Sequence, residues 1–225
     1  MGITKNQDGK AERVATFSFG DLERLVDSKA FIEQNPESFQ EIVKMVRKAF
    51  GTEMKEDDVY NHLTKPGKTY ILRSEGKILA MGAFTHKKIS ETLMLYVEGI
   101  AIHPSLQGKG IFREKTTQAL EGEKVLALRT QNPRMHRALE KFCDYICPNK
   151  NCNTLYCRTE LLKLKKDLAS ELDMKIDGLG VARGFYGKSL YQTQPTNTTS
   201  SILFNEILKV DYQNGDSVLC IGVKK

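Results

Sequence analysis

The stretch that most constrains this chain is Thr92–Ile102, almost continuous in apolar residues, stopped by Pro104 and followed by the glycines of Gln107-Gly108-Lys109-Gly110. A run this short and this apolar has the signature of a central strand buried on both faces. A helical pattern takes over at Ile111 and runs to about Gly122. A buried strand must be covered on both sides, so the segment commits the fold to a sheet with helices packed against it.

The flanks agree with that commitment. Residues 12–19 read as a first strand, since β-branched and aromatic residues nearly alternate there. From Asn35-Pro36, apolar residues recur at helical spacing (Phe39, Ile42, Val43, Val46, Ala49, Phe50), with Asn as cap, Pro at the first position and Gly51 as the stop. A short helix over Glu56–Leu63 and strands over Thr69–Arg73 and Lys77–Phe84 precede the apolar run. Lys124–Thr130 reads as a strand and Asn132-Pro133 opens a helix whose apolar face is Met135, Ala138, Leu139 and Phe142. Residues 144–158 read as a loop and 160–172 as an amphipathic helix. Val181–Tyr191 and Ser217–Val223 read as late strands, with a short helix between them over Ile202–Leu208. At 225 residues with 40% hydrophobic composition the chain has room for one sizeable core, and two full domains would be cramped. One domain over residues 1–225 is expected, with a core at about 12–143 and residues 144–225 completing the sheet.

Glycines between a buried strand and a helix start let backbone approach a ligand closely while unpaired N–H groups face an anion. Gln107–Phe112 has that design, and Lys109 with the positive helix end would suit a diphosphate. A plain tight turn has the same glycines. The net charge of +6 also favours an anionic ligand. Nucleic acid is disfavoured, because basic residues are scattered among acidic ones and the chain has no Trp.

Beyond spacing, Glu98-Gly99-Ile100-Ala101-Ile102-His103-Pro104-Ser105-Leu106-Gln107-Gly108-Lys109-Gly110-Ile111-Phe112 resembles the coenzyme motif of the GNAT superfamily of N-acyltransferases. There a strand leads into Q/R-x-x-G-x-G/A and then a helix. Gln107 fills the first place and Gly110 the fourth, while Phe112 stands where Gly or Ala is usual. Leu126–Pro133 is similar to the strand and Asn-initiated helix that flank the pantetheine arm in that family. The resemblance implies an α+β fold: a twisted mixed sheet of roughly six or seven strands with helices on both faces and a V-shaped opening between its central strands. It implies acetyl-CoA as co-substrate and transfer of the acetyl group to a primary amine, the acceptor being a small molecule or a peptide.

Site residues come from the same resemblance. The coenzyme would be held by Ile100, Ala101, Ile102, Gln107, Gly108, Lys109, Gly110, Ile111, Phe112 and Asn132. The acceptor amine must lose a proton before it attacks, and Glu98, in an otherwise apolar strand, is the expected base; as an ordinary sheet residue it would simply face outward. The family often protonates the leaving thiolate with a Tyr on the Asn-initiated helix, and Leu139 stands at that place. Tyr145 is the expected substitute, with Cys143 and His136 as other candidates. His103 reads as a solvated turn residue, and His62 and His86 have no partner visible in sequence. A catalytically silent module of the same fold, binding CoA or an anionic partner, is the alternative reading.

Two features compete for attention. Ala182–Ser189 fits the relaxed nucleotide P-loop, A/G-x4-G-K-S/T, but residues 190–197 are rich in strand formers and turn residues where that loop needs a helix. It reads instead as a strand with Gly at bends. Cys143, Cys147, Cys152 and Cys157 cluster without the paired short knuckles of a zinc site, so no metal ligand is assigned and metal binding by the cluster stays open. The polar first ten residues lack the apolar region of a signal peptide, and no run approaches the roughly 20 apolar residues of a membrane helix, so cytoplasmic residence is expected. A homodimer remains open.

Overall fold

The structure is a computed structural model that describes residues 9–150 and 159–225. These form two compact units: residues up to Thr85 with Glu98–Ala119, and His86–Val97 with Leu120–Lys225. Nine strands occur among the described residues, more than the six or seven expected.

In the first unit β1 (Ala11–Phe17), β2 (Gly20–Leu25), β3 (Lys68–Ser74) and β4 (Lys77–Ile89) lie in that order, each antiparallel to the next. The expected first strand is therefore a hairpin. β2 escapes the sequence pattern because Gly-Asp-Leu-Glu-Arg-Leu is mostly polar, and only Leu22 and Leu25 are buried. Three helices follow β2 in the chain, α1 (Ser28–Gln34), α2 (Pro36–Phe50) and α3 (Glu56–Thr64). Asn35 does not cap α2 with its side chain; its amide donates to the carbonyls of Phe31 and Gly9, closing α1 instead. α2 ends at Gly51, which is left-handed and donates to the Arg47 carbonyl. Its Ile42, Val43, Met45 and Val46 are buried, each such burial stabilising by about 1.5–3 kcal/mol.

β5 (Thr92–Ile102) matches its predicted span, and after a 3-10 turn at Pro104–Leu106 comes α4 (Ile111–Ala119). Helices lie on both faces of these strands. Ile71, Met81, Ala83 and Ala101 pack with Val46, Val59 and Leu63 of α2 and α3, whereas Leu72 and Ala80 pack with Leu106 and Ile111. Neighbouring residues of one strand point to opposite faces, which is why Ile71 and Leu72 belong to different clusters.

In the second unit the order is β5, β6 (Val125–Thr130), β9 (Ser217–Lys224), β7 (Cys143–Cys147). β5 and β6 are parallel from Met94–Val125 to Val97–Leu128, and β9 is antiparallel to both β6 and β7. α5 (Pro133–Phe142) ends where β7 begins, so the loop expected at 144–158 starts as a strand. α6 (Thr159–Glu171) buries Leu161, Leu164 and Leu168 against Tyr96, Leu219 and Ile221. The strand expected over Val181–Tyr191 shrinks to β8 (Val181–Ala182). Beyond it Arg183 is held by Asp177, Asp216 and the carbonyls of Leu208 and Lys209, which turns the chain out of register. The late helix divides into α7 (Thr198–Ile202) and a π-helical turn over Leu203–Ile207. No helix among the described residues is long and apolar enough to cross a membrane.

Candidate coenzyme and catalytic site

The turn between β5 and α4 is built by its own side chains. His103 Nδ1 accepts from the Ser105 amide at 3.3 Å and the Ser105 hydroxyl at 2.8 Å, which caps the 3-10 turn. Burial and then the positive charge of Lys48 lower the His103 pKa, which favours the neutral ring that accepts at Nδ1. Gln107 Nε2 donates to the Ile102 carbonyl at 3.1 Å, folding the loop back onto the end of β5. His103 and Gln107 are thus tied into the turn itself.

The backbone amides divide into two sets. Those of Gln107 and Lys109 are spent on the carbonyls of Pro104 and Leu106, at 3.3 Å each, so the full run from Gln107 to Ile111 expected to face a ligand is not all free. Gly108, Gly110, Ile111 and Phe112 make no such backbone bond among the described residues. Gly108 and Gly110 sit at φ +80 and +84, and a Cβ at either would meet nothing within 4 Å. Glycine is demanded there by conformation, and the space over both Cα atoms is open. Ile111 and Phe112 turn inward, 2% and 5% exposed, so Phe112 at the place of a small residue serves the core beneath the helix start.

Glu98 lies one residue beyond the β5–β6 pairing, half-buried, and no hydrogen bond or ion pair holds its carboxylate among the described residues. Strand alternation puts it on the side of Ile102, which packs toward α4, and puts Gly99 with Ala101 on the side of α2 and α3. On that second side the structure brings in a residue the sequence did not connect. A Cβ on Gly99 would stand 3.1 Å from the His62 ring, and His62 Nδ1 faces the Asp58 carbonyl at 2.8 Å. As Nδ1 must donate to that carbonyl, a neutral His62 keeps a free lone pair on Nε2.

Asn132 and Tyr145 belong to the second unit. Asn132 caps α5, its Oδ1 accepting from the Arg134 amide at 2.9 Å, while its Nδ2 donates to the Tyr191 hydroxyl at 3.3 Å. Tyr145 is 47% exposed and stands on β7 opposite Val223, in a strand where a loop was expected. Leu139 is fully buried. His136 is enclosed between Ser200 and the Pro148 carbonyl, and burial lowers its pKa despite that bond. Burial pushes the Cys143 thiol up to about 12, which makes it a poor proton donor at neutral pH. Cys143, Cys147 and Cys220 are buried thiols that form no disulfide among the described residues, and Cys152 and Cys157 lie outside them.

Residues 32–145, just over half of the chain, match the model of the acetyltransferase (GNAT) family. The chain belongs to that family. No curated protein matches the sequence. Among solved structures, an IAA acetyltransferase from Bacillus cereus aligns at 13% identity, over 90% of this chain and 97% of its own, with a TM-score of 0.42. The ribosomal-protein-S18-alanine N-acetyltransferase from Escherichia coli aligns at 12% identity over 83% and 88%, with a TM-score of 0.40. A diaminobutyrate acetyltransferase from Paenibacillus lautus, solved with its substrate and coenzyme A, aligns at 12% identity over 50% and 76%, with a TM-score of 0.37.

Proposed function

We propose that this GNAT member moves the acetyl group of acetyl-CoA to the primary amine of a small molecule or peptide, with residues 1–225 acting as one acyltransferase domain. The observation that carries the reading is the Gly108–Phe112 backbone. Amides without a backbone acceptor, two positive-φ glycines with open space above them and the start of α4 form an anion cradle. Lys109, exposed beside them, adds charge. In this reading the coenzyme diphosphate lies along Gln107–Phe112 and the thioester carbonyl is polarised by backbone N–H near Ile100, Ala101 and Ile102.

Glu98 is the proposed base. An alkylammonium of pKa near 10.4 is almost wholly protonated at pH 7, and its lone pair is unavailable until a base takes the proton. A half-buried carboxylate with no partner among the described residues can accept it. Asn132 beside the pantetheine arm and Tyr145 as donor to the leaving thiolate enter on the family resemblance alone. A binding-only module is the second reading, favoured by the fully buried Leu139 at the place where the resemblance puts a Tyr. Titration with acetyl-CoA, followed by an amine panel with free-thiol detection, separates the two. Saturating acetyl-CoA should raise the melting temperature by mass action and at least one amine class should release thiol. Binding without thiol release from any amine would select the module, and an unchanged melting temperature would end the acetyltransferase reading and leave the module only an anionic partner other than acetyl-CoA.

A further inference from the structure

The geometry points to a divalent-cation site in the second unit, built from His86 near the end of β4 and Glu121 and Glu123 in the loop before β6. The ligand-type atoms of these three side chains all lie within 4.8 Å of one another. Their arrangement is organised around one buried carboxylate. Glu123, its side chain 6% exposed, takes the Nδ1–H of His86 on one oxygen and the amide N–H of Glu121 on the other, the latter at 2.7 Å. A single group thus fixes the imidazole ring and the loop that carries Glu121. A carboxylate oxygen accepts, so Nδ1 of His86 is the donor to Glu123.

In the neutral ring that donor leaves the lone pair on Nε2, and Nε2 is buried with no hydrogen-bond partner among the described residues. Facing it is a Glu121 carboxylate oxygen at 3.8 Å. The separation is too long for a hydrogen bond. It does suit two ligands of one cation: with metal–ligand bonds of about 2.1 Å, it corresponds to an angle of about 130° at the metal. His86 Nε2 and Glu121 would be the direct ligands, and Glu123 the outer carboxylate that sets ring orientation and basicity, as acidic partners of ligating histidines do. Glu121 is 61% exposed, so water can fill the remaining positions. An imidazole with carboxylate suits zinc or cobalt, whereas calcium and magnesium prefer all-oxygen sets.

The test is Co²⁺ titration of the full-length reduced protein, read by visible d–d absorption, with near-ultraviolet thiolate charge transfer reporting any cysteine site. One equivalent should bind without a thiolate band, and Zn²⁺ should displace it. His86→Ala should remove the signal. Glu121→Gln, at a mostly exposed position that folding does not depend on, should weaken binding by at least about tenfold, and Glu123→Gln by roughly 10- to 100-fold with the absorption shape kept. No cobalt uptake below millimolar concentration, a spectrum carried by thiolate, or Glu121→Gln binding as tightly as the parent would each overturn the site.

Discussion

Two loops of this chain have nearly the same composition, glycine and lysine around a turn after a short extended segment, and opposite fates. In Gln107–Phe112 the glycines are exposed, a Cβ on Gly108 or Gly110 would meet nothing, and α4 begins at once. In Ala182–Ser189 the backbone is consumed internally. Gly184 donates to Asp216 at 2.8 Å, Tyr186 to the Gly215 carbonyl at 2.9 Å and Gly187 to the Gly184 carbonyl at 3.0 Å. The glycines themselves do not separate the loops, for a Cβ on Gly187 would also meet nothing within 4 Å and one on Gly184 only Asn214 at 3.5 Å. The next helix begins only at Thr198. An anion cradle is therefore defined by where the amides go and by the next element, and a Gly/Lys pattern alone does not decide it.

The harshest test of the contrast is Gly108→Asp. It forces a side chain onto a backbone at φ +80 and sets a negative charge where the diphosphate is proposed to lie. Acetyl-CoA should no longer shift the melting temperature, while the variant itself stays folded because the added group meets nothing. Retained binding would move the coenzyme elsewhere and erase the difference between the loops.

Next in size is Glu98→Gln, which keeps shape and removes basicity. Turnover should fall by roughly 10²- to 10⁴-fold with acetyl-CoA affinity little changed, and higher pH should restore part of the loss as free amine appears in solution. His62→Gln, on the opposite face of β5, is the control that sharpens this assignment. If His62→Gln is the costly change and Glu98→Gln keeps near-full activity at neutral pH, the base sits on the α2 and α3 side and Glu98 is an ordinary sheet residue.

How much of this could be read from sequence depended on the range of the interaction that decides each element. β5, α2 and the turn into α4 were legible because apolar runs, the Asn-Pro start and the glycine stops are local signals. β7 was not, since Cys-Asp-Tyr-Ile-Cys becomes a strand only by pairing with β9, whose partner residues lie at 221–224. The strand expected to Tyr191 failed because Arg183 and Asp216, far apart in sequence, turn the chain after Ala182. The same holds for sites. The proposed cradle at Gly108 and Gly110 is contiguous in sequence; the His62 ring beside Gly99 and the His86–Glu121–Glu123 group join distant segments, and both histidines looked partnerless in the linear sequence.

A third test loosens the packed loop. Asp216 is 1% exposed, and its carboxylate accepts from Gly184, Asp211, Asn214 and Arg183. Asp216→Ala leaves three N–H donors unmatched and strips Arg183 of one of its two carboxylate partners, and unfolding free energy should drop by about 3 kcal/mol in denaturant titration. Acid should mimic part of this. Burial would raise the Asp216 carboxyl, but its hydrogen bonds hold it below the usual range. Its contribution is therefore full above the unfolded carboxylate pKa of about 3.9 and is lost as pH falls below that toward the folded value. A variant as stable as the parent, with the same acid limb, would show that the loop is not pinned by this carboxylate.

The smallest expected effect is the most specific for the comparison. In a nucleotide P-loop the lysine reaches the β- and γ-phosphates and cannot be spared. Here Lys188 is exposed, its carbonyl accepts from Gln131 at 3.4 Å, and the amides of Gly184, Tyr186 and Gly187 before it are already engaged. Lys188→Ala keeps the backbone carbonyl that Gln131 uses and removes only a solvated ammonium. Acetyl transfer should stay within a few fold of the parent, and the melting temperature should move little, since surface substitutions away from special features usually stay within about 0.5 kcal/mol. Lys109→Ala is the paired measurement. Removing one charge beside an anion cradle formed mainly by amides should raise the KM for acetyl-CoA and leave kcat nearly unchanged, because ground-state and transition-state binding lose the same contact. If instead Lys188→Ala suppresses an ATP hydrolysis present in the parent and Lys109→Ala is silent, the two loops have exchanged roles and the phosphate site lies in the second unit.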